Sequence, residues 1–466
     1  MKIKLKQHKK KNFADQITPI SIYYNVRDQF AGSLLLESSE IDDEHNSRSI
    51  ICANPVGGIS LVNNELRIYY GNKQVIRQAD EISNIADEIN DFIDNISIDT
   101  KEGDVNGLFG FQSFEAVKYF ESKKANLCPR QNQEVAVIDY RLYQYVICIN
   151  HFNNEITFIE NSEESSKQTL DKFINIALHG KSSSYPFSLV DEEVSSCTDK
   201  QFIKNVKMAI QHCKLGNIFQ MVLSRRYCRR FKGDEFNVYR ALRHINPSPY
   251  MFFFDYTSYK IFGSSPEAQL LVAGGEAIVN PIAGTYKRTG DKVKDMQLQT
   301  ALLNDYKELA EHSMLIDLAR NDLSRNCEEV QVSDYKSIHQ YSHVIHLVST
   351  VRGKLKSKEQ AVKVLADTFP AGTLSGAPKV KAIQLLADIE EQPRDYYGGS
   401  IGYISFSKEI NQAITIRSFM TKGNVINYQA GAGIVLNSKP DSELQEVHNK
   451  LGALRSALEL AEKIYQ

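Results

Sequence analysis

The sequence predicts an α+β fold dominated by antiparallel sheet, and three observations carry that reading. First, four stretches, "GGISLVNNELRIYYG", "YQYVICINHFNNEITFIE", "YKIFGSSPEAQLLVAGGEAIVN" and "INQAITIRSFMTKGNVINYQAG", each join β-rich runs through Asn-Asn, Gly-Gly or Gly-Asn. Such dipeptides close tight hairpins because Gly and Asn tolerate positive φ, and a connection this short makes an antiparallel pair. Second, helices fall between hairpins instead of alternating with single strands, which disfavours a doubly wound sheet. Third, the helices are one-faced. One begins near Thr198, with Phe202, Val206, Ile210 and Cys213 on one side and Gly216 as its stop. Another runs from Pro440 to about Ile464, with Leu444, Val447, Leu451, Leu454 and Leu458 forming a buried stripe.

At 466 residues the chain has room for two or three average domains or one large one. A 24% charged composition with a net charge of -2 gives no basic field, so neither nucleic acid nor a membrane surface is an expected partner. No apolar run approaches the length of a membrane span. The basic start, "MKIKLKQHKKKNF", has no apolar segment after it, so export is not expected. Seven cysteines are scattered without a C-x-x-C pair, which suggests reduced thiols and a cytoplasmic protein. Serine, proline and acid replace periodic hydrophobics at 181–197. We place a linker there, between an N-terminal region, 1–180, and a C-terminal region, 198–466, that holds nearly every chemical signal.

The segment "YQAGAGIVLNSKPDSELQEVHNK" sets closely spaced glycines beside acids. Exposed backbone N–H groups suit an anion, whereas glutamates suit a cation. On the last helix Glu443, Glu446 and Lys450 share one face, which alone would be an ordinary solvated edge with an ion pair. A second pair, Glu308 and Glu311 in "NDYKELAEHSMLIDLARND", changes the balance. Two helices each offering two carboxylates suit Mg2+, which takes a few oxygen ligands and keeps its other positions for water or substrate. The expected ligand is an anion held by amides at Gly431 and Gly433 and partly neutralised by magnesium. Two other glycine patterns fail. "GAGIVL" has Leu436 where a dinucleotide fingerprint needs its third glycine, and "AGTLSGAPK" has the wrong spacing for a phosphate loop. Pro378 reads as the first residue of a helix whose N-terminus is partly positive. Arg417, in the expected strand "AITIRSF", calls for a carboxylate partner, either structural or from a ligand. His346 lies in an apolar run, where a histidine is more often a core residue than a catalytic one.

"PIAGT", "AEHSMLIDLARND", "HLVSTVRG", "TFPAGTLSGAPK", "YYGGSIGY" and "QAGAGIV" followed by E-x-x-E-x-x-x-K, in this order over 200–455, closely resemble the chorismate-utilising enzymes. "LLLESSE" and "GLFGFQSFEAVKYFE" extend the likeness into the N-terminal region. Within the superfamily the pattern is most similar to the anthranilate synthase large-subunit family. The resemblance implies large, mostly antiparallel sheets packed as a sandwich and surrounded by helices. It implies amination of chorismate at ring C2 with loss of the C4 hydroxyl, then elimination of pyruvate.

Carried over position by position, Glu311 and Glu446 match Mg2+ ligands, supported by Glu308 and Glu443. Glu267, in "SSPEA", matches the general acid for the departing hydroxyl and would need a raised pKa. His346 matches the histidine near the ring, and Thr373 joins the catalytic set. Ala283, Gly284, Thr285, Tyr397, Arg417, Gly431, Ala432, Gly433 and Lys450 match substrate contacts. Isochorismate-forming relatives carry a lysine base where this chain has Gln220, and glutamine has no basic site. One type of aminodeoxychorismate synthase carries a nucleophilic lysine where this chain has Ala283. Glu37, Ser38, Asn246, Pro247, Tyr250 and Met251 match a tryptophan feedback site, and the chain itself contains no tryptophan. No cysteine amidase motif is present. The resemblance therefore implies a separate glutamine amidotransferase subunit, in a heterodimer or heterotetramer. The alternatives are aminodeoxychorismate synthase and a non-catalytic chorismate- or tryptophan-sensing subunit.

Overall fold

A computed structural model of the protein describes residues 1–38, 47–100, 103–120, 135–340 and 344–464. Ser39, Glu40 and Cys128 lie outside the described residues, as do the side chains of Thr285, Lys287 and Lys307.

Nearly all the described strands join one branched, mostly antiparallel sheet. Its spine is the long pair Arg48–Val62 and Ile138–Asn150. One arm runs from the first of these through Leu34–Glu37, Tyr250–Asp255, Tyr259–Ser265, Ser418–Lys422 and Val425–Val435 to Gln220–Gly233. The other runs from Ile138–Asn150 through Gly107–Gln112, Ser400–Ser405, Ile410–Ile414, Ala268–Ala273 and Glu276–Val279 to Val344–Leu355, which also pairs with Ile282–Lys287. The arms face each other over one apolar cluster: Leu34, Phe252 and Ile261 come from the first, and Phe109, Phe111 and Ile401 from the second. This is the expected sandwich, with helices outside it.

The turns form as their residues dictate. Asn63 and Asn64 lie at φ +48° and +68°, Gly274 and Gly275 at +57° and +80°, and Gly423 and Asn424 at +57° and +62°. Two consecutive positive φ values match the twist of the flanking strands. Helix Asp199–Lys214 is capped by Thr198, whose side chain accepts from Gln201 N at 3.2 Å. That helix buries Phe202, Val206 and Ala209.

Strand alternation separates two roles on the final strand, Val425–Val435. Tyr428, Ala430, Ala432 and Ile434 join the core with Val447 and Leu451 of helix Pro440–Ala461. Gln429, Gly431 and Gly433 take the opposite face.

Three local expectations need correction. The last helix ends at Ala461, because Lys463 N and Ile464 N bond Leu460 O and Ala461 O, three residues back, tightening the final turn. Pro378 caps its helix instead of starting it: its ψ of 137° is extended, and Lys379 is the first helical residue. Arg417 is not within a strand but at the bend between Ile410–Ile414 and Ser418–Lys422, at φ +48°.

The segment 181–197 lays two short strands against Gln220–Gly233. Phe187–Leu189 pairs with its end and Val194–Ser195 with its middle. Strands from 1–180 and from 198–466 also pair directly, Leu34–Glu37 with Tyr250–Asp255 and Gly107–Gln112 with Ser400–Ser405. Among the described residues no helix is long and apolar enough to cross a membrane, and the six described cysteines are free thiols.

Candidate active site

The floor of the site is the antiparallel ladder of Gln220–Gly233 and Val425–Val435, with Val222 opposite Gly433 and Ser224 opposite Gly431. The glycines are required by what crowds them. A Cβ on Gly433 would lie 2.6 Å from Gln220 Nε2 and 3.7 Å from Glu311 Oε1, and one on Gly431 would lie 3.1 Å from Tyr397 Oη. On strand Ile282–Lys287, Gly284 sits at φ +68°, where a Cβ would approach Glu308 Oε2 to 3.2 Å. The three glycines thus let the backbone come within reach of both Glu308 and Glu311, on helix Tyr306–Ser324.

The acids themselves are already engaged. Glu311 Oε1 accepts from Gln220 Nε2 at 2.7 Å, while Gln220 Oε1 is buried without a hydrogen-bond partner. On helix Pro440–Ala461, Glu446 pairs with Lys450 at 2.8 Å, and Lys450 Nζ also donates to Gly431 O at 2.9 Å. Glu443 is buried in the first turn of that helix. Among the described residues no three His, Cys, Asp or Glu side chains gather as a ready metal cluster. The donor chemistry, carboxylates from two helices beside an amide-lined floor, fits a hard divalent cation.

Glu267 lies just beyond strand Tyr259–Ser265 and is buried. Thr373 Oγ1 donates to its Oε1 at 3.2 Å. Burial pushes its carboxyl up to about 8, against the opposing pull of the Thr373 hydrogen bond and the charges of Arg417 and Lys450. The group is therefore protonated at neutral pH. Arg417 is the cation facing it. Burial lowers the guanidinium pKa while Glu267 opposes the shift, and Nη1 reaches Asn246 Oδ1 at 3.5 Å. The acid whose charge bears on Arg417 is thus Glu267, but as a neutral carboxyl and not as the paired carboxylate that the sequence called for, and Asn246 is the polar neighbour.

His346 is buried on Val344–Leu355, with Nδ1 3.1 Å from Gly284 O. Burial lowers its pKa to about 4. The ring is neutral, Nδ1 carries the proton it gives to that carbonyl, and Nε2 keeps its lone pair. Tyr397 is buried, which raises its phenol pKa, and it takes a hydrogen bond from the Gly431 backbone. Ala283 is buried opposite Leu347 and brings no functional group. Ala432 turns its side chain into the core, so only its backbone serves the floor.

Of the six residues assigned to feedback, Glu37, Ser38, Tyr250 and Met251 line one cavity between the sheets, together with Leu36 and Tyr403. Asn246 and Pro247 are not among its walls. Within the cavity wall Glu37 is held by Tyr239 Oη at 2.6 Å and Arg243 at 3.1 Å.

Sequence reasoning missed Lys379. Its Nζ donates to Asp322 Oδ2 at 2.6 Å and to Thr368 O at 2.9 Å, tying the helix of Glu308 and Glu311 to the end of helix Ala361–Thr368. The available signal was an ammonium at the first position of an apolar helix, "KVKAIQLL", in a chain with an acid in "ARND" to meet it.

A family model described as chorismate binding enzyme matches residues 37–456. The anthranilate synthase component 1 of Aquifex aeolicus (strain VF5) is 35% identical over 467 residues, covering 96% of this chain and 94% of that protein. That of Bacillus subtilis (strain 168) is 38% identical over 387 residues, 78% of this chain and 74% of the relative. The crystal structure of anthranilate synthase component I from Streptococcus pneumoniae TIGR4 superposes with a TM-score of 0.77 at 30% identity, over 95% of this chain and 99% of that one. With the family match covering both the sandwich and the glycine-floored cavity, the chain belongs to the chorismate binding enzyme family.

Proposed function

We propose that this protein converts chorismate and ammonia to anthranilate and pyruvate, the reaction that opens tryptophan biosynthesis, in the cytoplasm. The observation that carries the reading is Glu267, a buried acid kept protonated at neutral pH and held by Thr373 within the influence of Arg417 and Lys450. A departing hydroxyl needs a proton donor, and a carboxyl that titrates near 8 is both protonated and able to give the proton up.

The other residues divide the remaining tasks. Arg417, Lys450 and the amides of Gly431 and Gly433 supply positive charge and donors for an anionic ring. Gln220 stands beside Glu311 without a basic site. That suits ammonia, which attacks without first being deprotonated, and not water. Its unpartnered Oε1 is an acceptor for an incoming N–H. Ala283 offers no amine to form a covalent intermediate, which favours direct amination over aminodeoxychorismate chemistry. Neutral His346 presents Nε2 as a base for the proton lost when pyruvate leaves. Glu311 and Glu446, with Glu308 and Glu443 behind them, would hold Mg2+. That ion, when bound, would neutralise the charge of a substrate carboxylate.

The relatives' designation as component 1 supports a second component, which we assign as a glutamine amidotransferase supplying ammonia. The cavity at Glu37, Ser38, Tyr250 and Met251 is the proposed site of tryptophan inhibition. The purified chain with chorismate, ammonium chloride and Mg2+ should give fluorescent anthranilate. A 4-aminated product that keeps its enolpyruvyl group would move the protein to the folate branch, and no turnover at all would leave only a sensing role.

A further inference from the structure

The floor strand Gln220–Gly233 has Val425–Val435 along most of one edge, but its other edge changes partners within a few residues. Strand Gly376–Ala377 pairs with Gln220 and Met221, and one further bond runs from Val222 N to Ser375 O at 3.0 Å. Backbone groups farther along this edge still need partners. Val222 O and Ser224 N find theirs on the side chains of one ion pair. Arg394 Nη2 donates to Val222 O at 2.6 Å, and Ser224 N donates to Glu390 Oε1 at 2.8 Å. The pair itself is closed by Arg394 Nε to Glu390 Oε2 and by Nη2 to Glu390 Oε1, each at 2.8 Å. A guanidinium and a carboxylate thus stand in for the next rung of sheet, beside the two residues in register with Gly433 and Gly431.

The same guanidinium reaches the acid side of the site. Its Nη1 donates to Leu374 O at 2.5 Å, in the turn Gly372–Leu374 that carries Thr373. The ring of Phe114 lies 4.5 Å from its Cζ, and Glu115 Oε1 accepts from Arg394 N at 2.8 Å. Arg394 O in turn accepts from Tyr397 N at 3.1 Å. At 2% exposed, Arg394 spends its donors where burial would otherwise be costly. A simple structural ion pair would need only Glu390. Here the floor strand, the Thr373 turn, the Tyr397 turn and Phe114–Glu115 from the N-terminal region all converge on one side chain.

The geometry points to Arg394 as a positioning residue for proton donation, one that holds Thr373 against Glu267 by tying the Thr373 turn to the floor strand. This inference rests on the function proposed above, in which Glu267 protonates the departing hydroxyl. Arg394 acts through Leu374 and its neighbour Thr373, whose Oγ1 donates to Glu267 Oε1 at 3.2 Å. That bond favours the ionised carboxyl, as do the charges of Arg417 and Lys450, so loosening it leaves Glu267 harder to ionise.

The test follows kcat against pH for anthranilate formation at saturating ammonia and Mg2+. Arg394→Lys keeps the charge but loses the planar fork, and Arg394→Met combined with Glu390→Gln leaves neither charge buried alone. Each should lower kcat about tenfold while the chorismate KM stays within about threefold. Each should also move the fall in kcat, expected near pH 8, upward by roughly 0.5 to 1 on the pH scale. Thr373→Val should move it equally, and adding Arg394→Lys to that variant should move it no further, since both act through one bond. Arg394→Lys alone decides the matter if the charge-free pair fails to fold. A kcat that drops with the fall left in place marks a merely structural role and overturns the inference, as do displacements that add in the combined variant. An unaltered chain that makes anthranilate with no fall near pH 8 would instead overturn the role given to Glu267, and the inference with it.

Discussion

The glycine-floored site and the cavity at Glu37 sit in the same sandwich but treat charge in opposite ways. In the first, Glu267 and His346 are driven far from their ordinary pKa values by burial, and Gln220 keeps an acceptor unpartnered. In the second, the one buried acid is fully engaged, with Tyr239 and Arg243 on its carboxylate. A site that moves protons needs groups whose protonation state the protein has set, here a neutral carboxyl and a neutral imidazole, whereas a site that only recognises a ligand needs its charges fixed in place.

That contrast can be broken or sharpened by substitution. The largest effect is expected in Glu267→Gln, which removes the proton donor with little change in shape. The kcat with ammonia should fall by roughly 10²–10⁴. Because the protonated form is the active one and the carboxyl titrates near 8, kcat of the unaltered chain should hold below about pH 8 and decline above it. A flat profile would assign the proton to another group. Next, Glu446→Gln should lower turnover on the order of a hundredfold at limiting Mg2+, with partial recovery at high metal and unchanged far-UV circular dichroism. Activity that does not depend on metal in either form would remove magnesium from the site.

Lys379→Met probes the tie between the helix of Glu308 and Glu311 and the end of helix Ala361–Thr368. It leaves Asp322 buried without its cation, which should cost about 3–5 kcal/mol in chemical denaturation. It should also lower kcat more than it raises the chorismate KM, since the helix of Glu308 and Glu311 loses its tie to the end of helix Ala361–Thr368. The smallest effect belongs to the other cavity. Ser38→Ala should weaken tryptophan inhibition several-fold, about 1 kcal/mol, and leave kcat alone. An unaltered inhibition curve would take Ser38 out of that pocket.

Much of this was legible in the sequence, because hairpin turns and apolar stripes are local. The Asn63-Asn64, Gly274-Gly275 and Gly423-Asn424 turns formed where written, as did the helix opened by Thr198. Arg417 was misplaced because apolar neighbours on both sides imitate a strand, while its left-handed bend depends on the two strands it joins. A nearby acid could be anticipated, but not that it would be Glu267, about 150 residues away, brought close only by the sheet and kept neutral by burial. Lys379 went unread for the same reason: nothing near "SGAPK" announces Asp322. The ladder partners of Gly431 and Gly433, which make the floor, follow from a register that no local pattern encodes.

The pairing of Leu34–Glu37 with Tyr250–Asp255 and of Gly107–Gln112 with Ser400–Ser405 bears on any attempt to take this molecule apart. A protease nick or gene split within 181–197 would yield two pieces, each with raw strand edges and half of an apolar interior bared to water. Neither would be expected to stay dispersed by itself. Produced together, however, the pieces carry complementary edges, and the natural outcome is reassembly into a nicked but working enzyme.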